Sequence, residues 1–262
     1  MKSSLRLFIE QIKVSPFYQL LMFTLKQYLF WMLFFQFLRL IFLVYNWSEI
    51  GDSSLGEVLK AFWYAIYLDN SATGYVMMFP ILITIIKSLF KTNFFNQLLR
   101  IYHGLVIFIA TSVSIAELPL YDEWKVKINY KAISYLSRPK EVFQTASVAE
   151  VIGGLLAIGI IVFLAIKAFN KWVYPKTKQN RSFVSLFIHL LLLPVCFIWG
   201  IRGGLQEIPI HQADVYYSKN NFLNLVAVNS AWNLGSSIDK NHHFKNTNPY
   251  IFFSFEEAKH TI

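Results

Sequence analysis

The chain contains one cysteine, Cys196, and therefore no internal disulfide, which excludes a disulfide-stapled secreted module. Charge is equally scarce. Asp, Glu, Lys and Arg make up 15% of the 262 residues, against about 25% in an ordinary soluble domain. No Gly-x-Ser-x-Gly elbow, His-Glu-x-x-His pair or Gly-x-x-x-x-Gly-Lys-Ser/Thr loop occurs, so the common nucleophile, zinc and phosphate signatures are missing. Repeats and low-complexity tracts are missing too. What fills the chain is apolar: 55% hydrophobic and 18% aromatic residues, with a mean hydropathy of +0.44. Such a composition excludes intrinsic disorder, and on a water-exposed surface it would leave more apolar area than a soluble monomer tolerates. An integral membrane protein is expected. The net charge of +9 then points to basic loops on the cytoplasmic side of a membrane, with no nucleic acid implied.

About 20 apolar helical residues cross a bilayer core of roughly 30 Å. Five stretches qualify, at about 20–45, 71–90, 94–118, 149–173 and 183–201. The second has a possible earlier start at Phe62-Trp63-Tyr64. The first run is too long for a signal peptide and is expected to act as an uncleaved anchor. The fold class predicted is all-α, with five transmembrane helices.

Lys and Arg in short connections set the orientation. One side carries Lys2, Arg6, Lys13 and Lys26, then Lys87, Lys91 and Arg100, then Lys167, Lys171, Lys176, Lys178 and Arg181, against the single acid Glu10. The other side begins with Glu49, Asp52, Glu57 and Asp69 against Lys60. The N-terminus is thus expected in the cytoplasm and the segment 202–262 outside. That segment reads as short helices along the outer membrane face, with an apolar patch at Phe222–Val228, turn formers at Asn233, Gly235 and Asn248-Pro249, and a helix start at Ser254–Lys259. The loop 119–148, with Tyr121, Trp124, Tyr130 and Tyr135, suits the headgroup layer, where aromatic side chains are favoured.

Charges inside spans are the first candidates for function, because placing one in lipid costs at least about 2.5–3.5 kcal/mol. Arg39 lies deep in the first span, while Asp69 and Glu117 sit near the same end of the second and third. An Arg39–Asp69 or Arg39–Glu117 pair is feasible. It forms either a polar pocket in which Arg39 faces a lipid phosphate or an ion pair that only holds helices together. His211 and Asp214 have the spacing of one helical face, and His242-His243 are adjacent, but a zinc site needs three or four converging ligands, so no metal is expected in this chain. Gly153-Gly154 with Ala157, and Gly200 with Gly204, are expected to let helices approach closely. Asn46-Trp47-Ser48 matches a glycosylation acceptor and is expected to be unused.

The run Arg202-Gly203-Gly204-Leu205-Gln206-Glu207-Ile208-Pro209-Ile210, continued by Asp214–Ser218, Asn224, Ala227-Val228-Asn229 and Trp232-Asn233-Leu234, resembles the region just outside the last span of the lipoteichoic-acid-synthase-like, sulfatase-type transferases, especially their Bacteroidetes members. Arg39-Leu40-Ile41-Phe42, Tyr67-Leu68-Asp69 before Gly74-Tyr75, Ala116-Glu117-Leu118, Trp124 and Tyr135-Leu136-Ser137-Arg138-Pro139-Lys140-Glu141 are similar to the same family. The resemblance implies a five-helix membrane domain and a juxtamembrane linker at 202–262. It also implies an extracytoplasmic catalytic domain of the alkaline-phosphatase superfamily, with a threonine or serine nucleophile and a divalent metal such as manganese. That domain moves a phosphoglycerol-type headgroup from a phospholipid such as phosphatidylglycerol. No residue here matches its catalytic motif, and the sequence stops at Ile262. The expectation is therefore the anchoring and lipid-donor-access half of such an enzyme in a bacterial inner membrane, either as a shortened product or as a free-standing module. Rival readings are a membrane scaffold and a small transporter subunit, although paired repeats that would favour a transporter are missing.

Overall fold

A computed structural model describes residues 16–89, 94–136, 148–174 and 183–244. Lys2, Arg6, Glu10, Lys13, Lys91, the Ser137–Glu141 phrase, Lys176, Lys178, Arg181, Asn248-Pro249 and the helix start at Ser254–Lys259 lie outside the described residues. Every element among the described residues is helical. In chain order these are α1 Pro16–Tyr45, a 3-10 turn Trp47–Ile50, α2 Leu55–Tyr64, α3 Ile66–Leu89, α4 Phe94–Trp124, α5 Tyr130–Leu136, α6 Val148–Trp172 and α7 Phe183–Val195. A π-helical turn Cys196–Ile201, a 3-10 turn Gln212–Val215, α8 Asn221–Ala227 and α9 Ser230–Phe244 follow.

Among the described residues, four helical stretches are long and apolar enough to cross a membrane: Leu21–Tyr45, Leu55–Lys87, Phe94–Trp124 and Val148–Trp172. The fifth expected span is a shorter apolar stretch, Leu186–Ile201. The second and third run longer than read from hydropathy. α4 runs on past Pro119, and Tyr121 beyond the expected end is buried, so packing of the last turns outweighs the lost donor and ring clash that an interior proline brings. α2 and α3 form one stretch with a break at Ala65. At that break Gln36 of α1 donates its side-chain amide to the Phe62 carbonyl at 3.0 Å, and a side chain inserted into the helical ladder is a recognised cause of a kink.

The bundle core is aromatic. Phe30, Trp31, Phe34 and Phe35 of α1 pack with Ile107 of α4 and Phe169 of α6, and the Phe30 and Phe169 rings meet edge to face at 4.8 Å, a favoured aromatic geometry. A polar pair, His103 and Gln27, is buried beside them. His103 takes the Trp31 indole N–H on Nδ1 at 3.3 Å, and its Nε2 faces Gln27 Oε1 at 2.9 Å. This arrangement needs the neutral tautomer with the proton on Nε2.

Close helix contact falls at Gly74 and Gly200. A Cβ on Gly74 would lie 2.8 Å from Ile201 N and 2.9 Å from Gly200 Cα. The expected small faces differ in detail. Gly153 has nothing within 4 Å of such a Cβ, Gly154 meets only Ile115 Cγ2 at 3.8 Å, and Gly204 is a loop residue at φ +137. Gly200 therefore packs on Gly74, and Gly204 is no part of that face. α3 also satisfies carbonyls of the π turn: Asn70 Nδ2 donates to Trp199 O at 2.7 Å and Ser71 Oγ to Ile201 O at 3.0 Å.

The segment 202–244 covers one end of the bundle, here termed the capped end. α8 is buried from Phe222 through Ala227 and packs with Phe42, Leu43, Ile50, Val58 and Tyr121. Its start is local: Asn220 accepts the Phe222 amide at 2.9 Å, as a good N-cap does. The same Asn220 donates to Ile50 O at 2.9 Å. α2 begins at a capping box of Ser54 and Glu57, a spacing legible in sequence.

Candidate functional site: a buried charge cluster at the capped end

Arg39 projects from α1 towards α3 and the cap. Its Nη1 donates to Asp69 Oδ2 at 2.7 Å and its Nη2 to Asp69 Oδ1 at 2.8 Å, the bidentate geometry that strengthens a guanidinium–carboxylate pair. Nε donates to the Val226 carbonyl at 2.8 Å, and Nη2 also reaches Ala227 O at 3.4 Å. These carbonyls close α8, so the cation neutralises the negative end of a helix while pinning it. All three guanidinium nitrogens are thus committed to protein oxygens. The pair has side-chain exposures of 3% and 0%; it is enclosed by protein, as the helix-holding alternative requires.

Glu117 does not join Arg39. It pairs with Lys127, Nζ to Oε2 at 2.5 Å, with exposures of 0% and 3%. Its other oxygen accepts the Ile128 amide at 2.9 Å. Ser230 Oγ donates to Glu117 Oε2 at 2.5 Å and accepts from Lys127 Nζ at 3.1 Å. The ammonium also lies 4.0 Å from the centre of the Phe42 ring, within cation–π range. Burial pushes the Lys127 ammonium below its ordinary value, and Glu117 opposes that shift. Two cations and two anions therefore lie enclosed and balanced, which is the condition under which buried charge is tolerated.

Two adjacent residues key the cap into both pairs. Asn229 Nδ2 donates to Asp69 Oδ1 at 2.8 Å, and Ser230 sits on Glu117. Asn229 Oδ1 also accepts the Trp232 amide at 3.0 Å, so one side chain caps α9 and holds Asp69. Beyond them, Trp232 Nε1 donates to Ser71 Oγ at 2.9 Å and Asn233 Nδ2 to Ile128 O at 2.8 Å.

The remaining motif residues form a separate loop. Ile210 N donates to Arg202 O at 3.0 Å, and Arg202 Nη2 donates to the carbonyls of Gln206 and Glu207, both at 2.9 Å. Gly203 at φ +82 and Gly204 at φ +137 make the turn, conformations that favour glycine. Pro209 lies exposed in the same loop. Arg202, Gly203, Gly204 and Pro209 are thus brought together with one another, and Trp232 and Asn233 with the charge cluster.

Among the described residues, no group of three or more His, Cys, Asp or Glu side chains is placed to hold a metal. His211 and Asp214 do meet, Nδ1 to Oδ2 at 2.7 Å, but across a 3-10 turn that they cap. His242 is exposed, and the His243 side chain lies outside the described set. Asn46 is buried, and its amide donates to Phe42 O at 3.1 Å.

Sequence reasoning missed Lys127 and Ser230, and read Asn229 only as part of the juxtamembrane motif with no partner in the bundle. Lys127 reads as one more loop charge, and only its place ten residues after Glu117 hints at a partner. Compared with protein-family models, curated proteins and solved structures, the chain matches none.

Proposed function

We propose that this chain is the membrane-anchoring and lipid-donor-access domain of a sulfatase-type transferase that moves phosphoglycerol or a related lipid headgroup. In this reading it lies in a bacterial inner membrane with five spans, the N-terminus in the cytoplasm and the capped end outside. The nucleophile and a divalent metal such as manganese belong to a catalytic domain that this chain would anchor. What supports the reading is the keyed cap: Asn229 and Ser230 fasten the juxtamembrane segment to two buried ion pairs. A segment fixed this rigidly to its bundle can hold a following domain at a set height and angle over the lipid surface.

The committed donors of Arg39 favour a second reading at that point, a scaffold without a headgroup pocket. The two are separable. In vesicles carrying photoreactive phosphatidylglycerol, the transferase reading expects crosslinks at the capped end in excess of those from phosphatidylcholine with the same chains. Equal labelling by both lipids would leave only the scaffold. Alkaline phosphatase fused after Ile262 is expected to be active and after Lys176 silent; the reverse pattern overturns the orientation. The purified chain, given manganese and fluorescent phosphatidylglycerol, is expected to release no diacylglycerol, and metal-dependent release would contradict the assignment of chemistry to another domain.

A further inference from the structure

One exposed row of α2 is apolar. Leu55, Leu59 and Trp63 recur every four residues at 68%, 59% and 68% exposure, and Tyr67 of α3 continues the row at 55%. The opposite side, with Val58 and Ala61, packs on the core that holds α8. Lys60 is exposed beside Leu59 and Trp63. A second apolar projection stands nearby: Leu205 and Ile208 at the tip of the 202–210 loop are 76% and 69% exposed. The backbone closure and the Arg202 contacts fix that tip, so its two aliphatic side chains are held away from the loop's own base. The base is seated at the α2–α3 break, where Ile210 and Val215 pack with Ala65 and Leu68. The α2 face and the loop tip therefore flank one junction.

The lengths indicate what covers this surface. Leu55–Lys87 has 33 residues, about 50 Å of helix at 1.5 Å per residue, while the hydrocarbon core takes about 30 Å. Counting back from Lys87, α3 alone fills the core, and α2 falls at headgroup level. Its apolar row is continuous with the lipid-facing surface of the same stretch. Tryptophan and tyrosine beside a lysine form the composition favoured there, with rings between the phases and the ammonium reaching outward.

We propose that the Leu55–Leu59–Trp63 face of α2 and the Leu205–Ile208 tip form a lipid-binding surface, seated in the headgroup and upper acyl region of the leaflet at the capped end, with Lys60 meeting lipid phosphate. The proposal rests on the reading above only for which leaflet this is. It places lipid against α2 and the loop tip, away from Arg39.

Leu59→Cys, Trp63→Cys, Leu205→Cys and Ile208→Cys, each in a Cys196→Ala background, would carry a nitroxide in vesicles of phosphatidylethanolamine and phosphatidylglycerol. Accessibility to oxygen and to a water-soluble nickel complex is then compared with Lys219→Cys, exposed at the capped end, as the aqueous reference and Leu156→Cys, on exposed α6, as the membrane reference. All four labels are expected between the references, richer in oxygen and poorer in nickel than Lys219. Labels as nickel-accessible as Lys219 would overturn the proposal, and so would labels shielded from both reagents, which would mean a protein covers the surface. The readout needs no transferase activity, so its failure is distinct from failure of the transferase reading.

Discussion

Asn229 and Asp69 are 160 positions apart in sequence and 2.8 Å apart in the fold. Through that contact the capped end reads the state of the Arg39–Asp69 pair directly. A carboxylate with two guanidinium donors and one amide donor has its lone pairs nearly filled, so removing any partner leaves buried charge short of compensation.

Arg39→Leu alone is therefore expected to cost about 3–5 kcal/mol, the range for breaking a buried pair from one side. Arg39→Leu combined with Asp69→Leu is expected to be milder, since replacing both charges by apolar groups is often near neutral. Thermal unfolding in nanodiscs measures both. A double variant worse than either single one would show that the pair contributes more than mutual compensation.

The two keys of the cap are expected to act together. Asn229→Ala removes an N-cap and a donor to Asp69, and loss of an N-cap side chain alone costs about 0.5–2 kcal/mol. Ser230→Ala removes a donor to Glu117 and is expected to be smaller, because Lys127 and the Ile128 amide remain. Limited proteolysis between residues 202 and 244 is the measurement, with faster cleavage in Asn229→Ala than in Ser230→Ala.

Helix contact at Gly74 leaves no room for a methyl group. Gly74→Ala and Gly200→Ala each place a Cβ within about 3 Å of backbone atoms, so helices must separate and lose packing on which membrane helix association depends. Both are expected to lower the unfolding temperature of the reconstituted protein. Gly153→Ala, with nothing within 4 Å, is the control and is expected to be neutral.

Alkaline pH is expected to loosen the cap through Tyr217. Its hydroxyl donates to Glu57 O at 2.7 Å, and its ring stacks on Tyr64 at 4.8 Å. Burial, followed by Glu57 and Tyr64, raises its pKa from 10.0 to about 12. The folded state thus holds the phenol proton more firmly than the unfolded state does. Its contribution is fully present below pH 10 and is lost between 10 and about 12. Tyr217→Phe should flatten that part of a stability–pH curve, and an unchanged slope would refute the assignment.

Much of the fold is legible along the chain because apolar run length is a local property. The helices around 20–45, 94–118 and 149–173 follow from it. Exact ends were less legible: α4 passes Pro119, and α2 joins α3 through a break set by Gln36, because burial and a contact from another helix outweigh local signals. The charges Arg39, Asp69 and Glu117 stand out in sequence for a physical reason, the cost of charge beside lipid. Their partners do not. Nothing local distinguishes Asp69 from Glu117 as the mate of Arg39, or marks Lys127 as the mate of Glu117. That choice depends on where α3, α4 and the turn after α4 lie around α1, and on the carbonyls that α8 delivers to Arg39. Sequence alone determined that the chain is helical, apolar enough for a membrane, and charged at a few costly places. Tertiary structure decided which charges meet, because ion pairing depends on distances of a few ångströms between helices that are far apart along the chain.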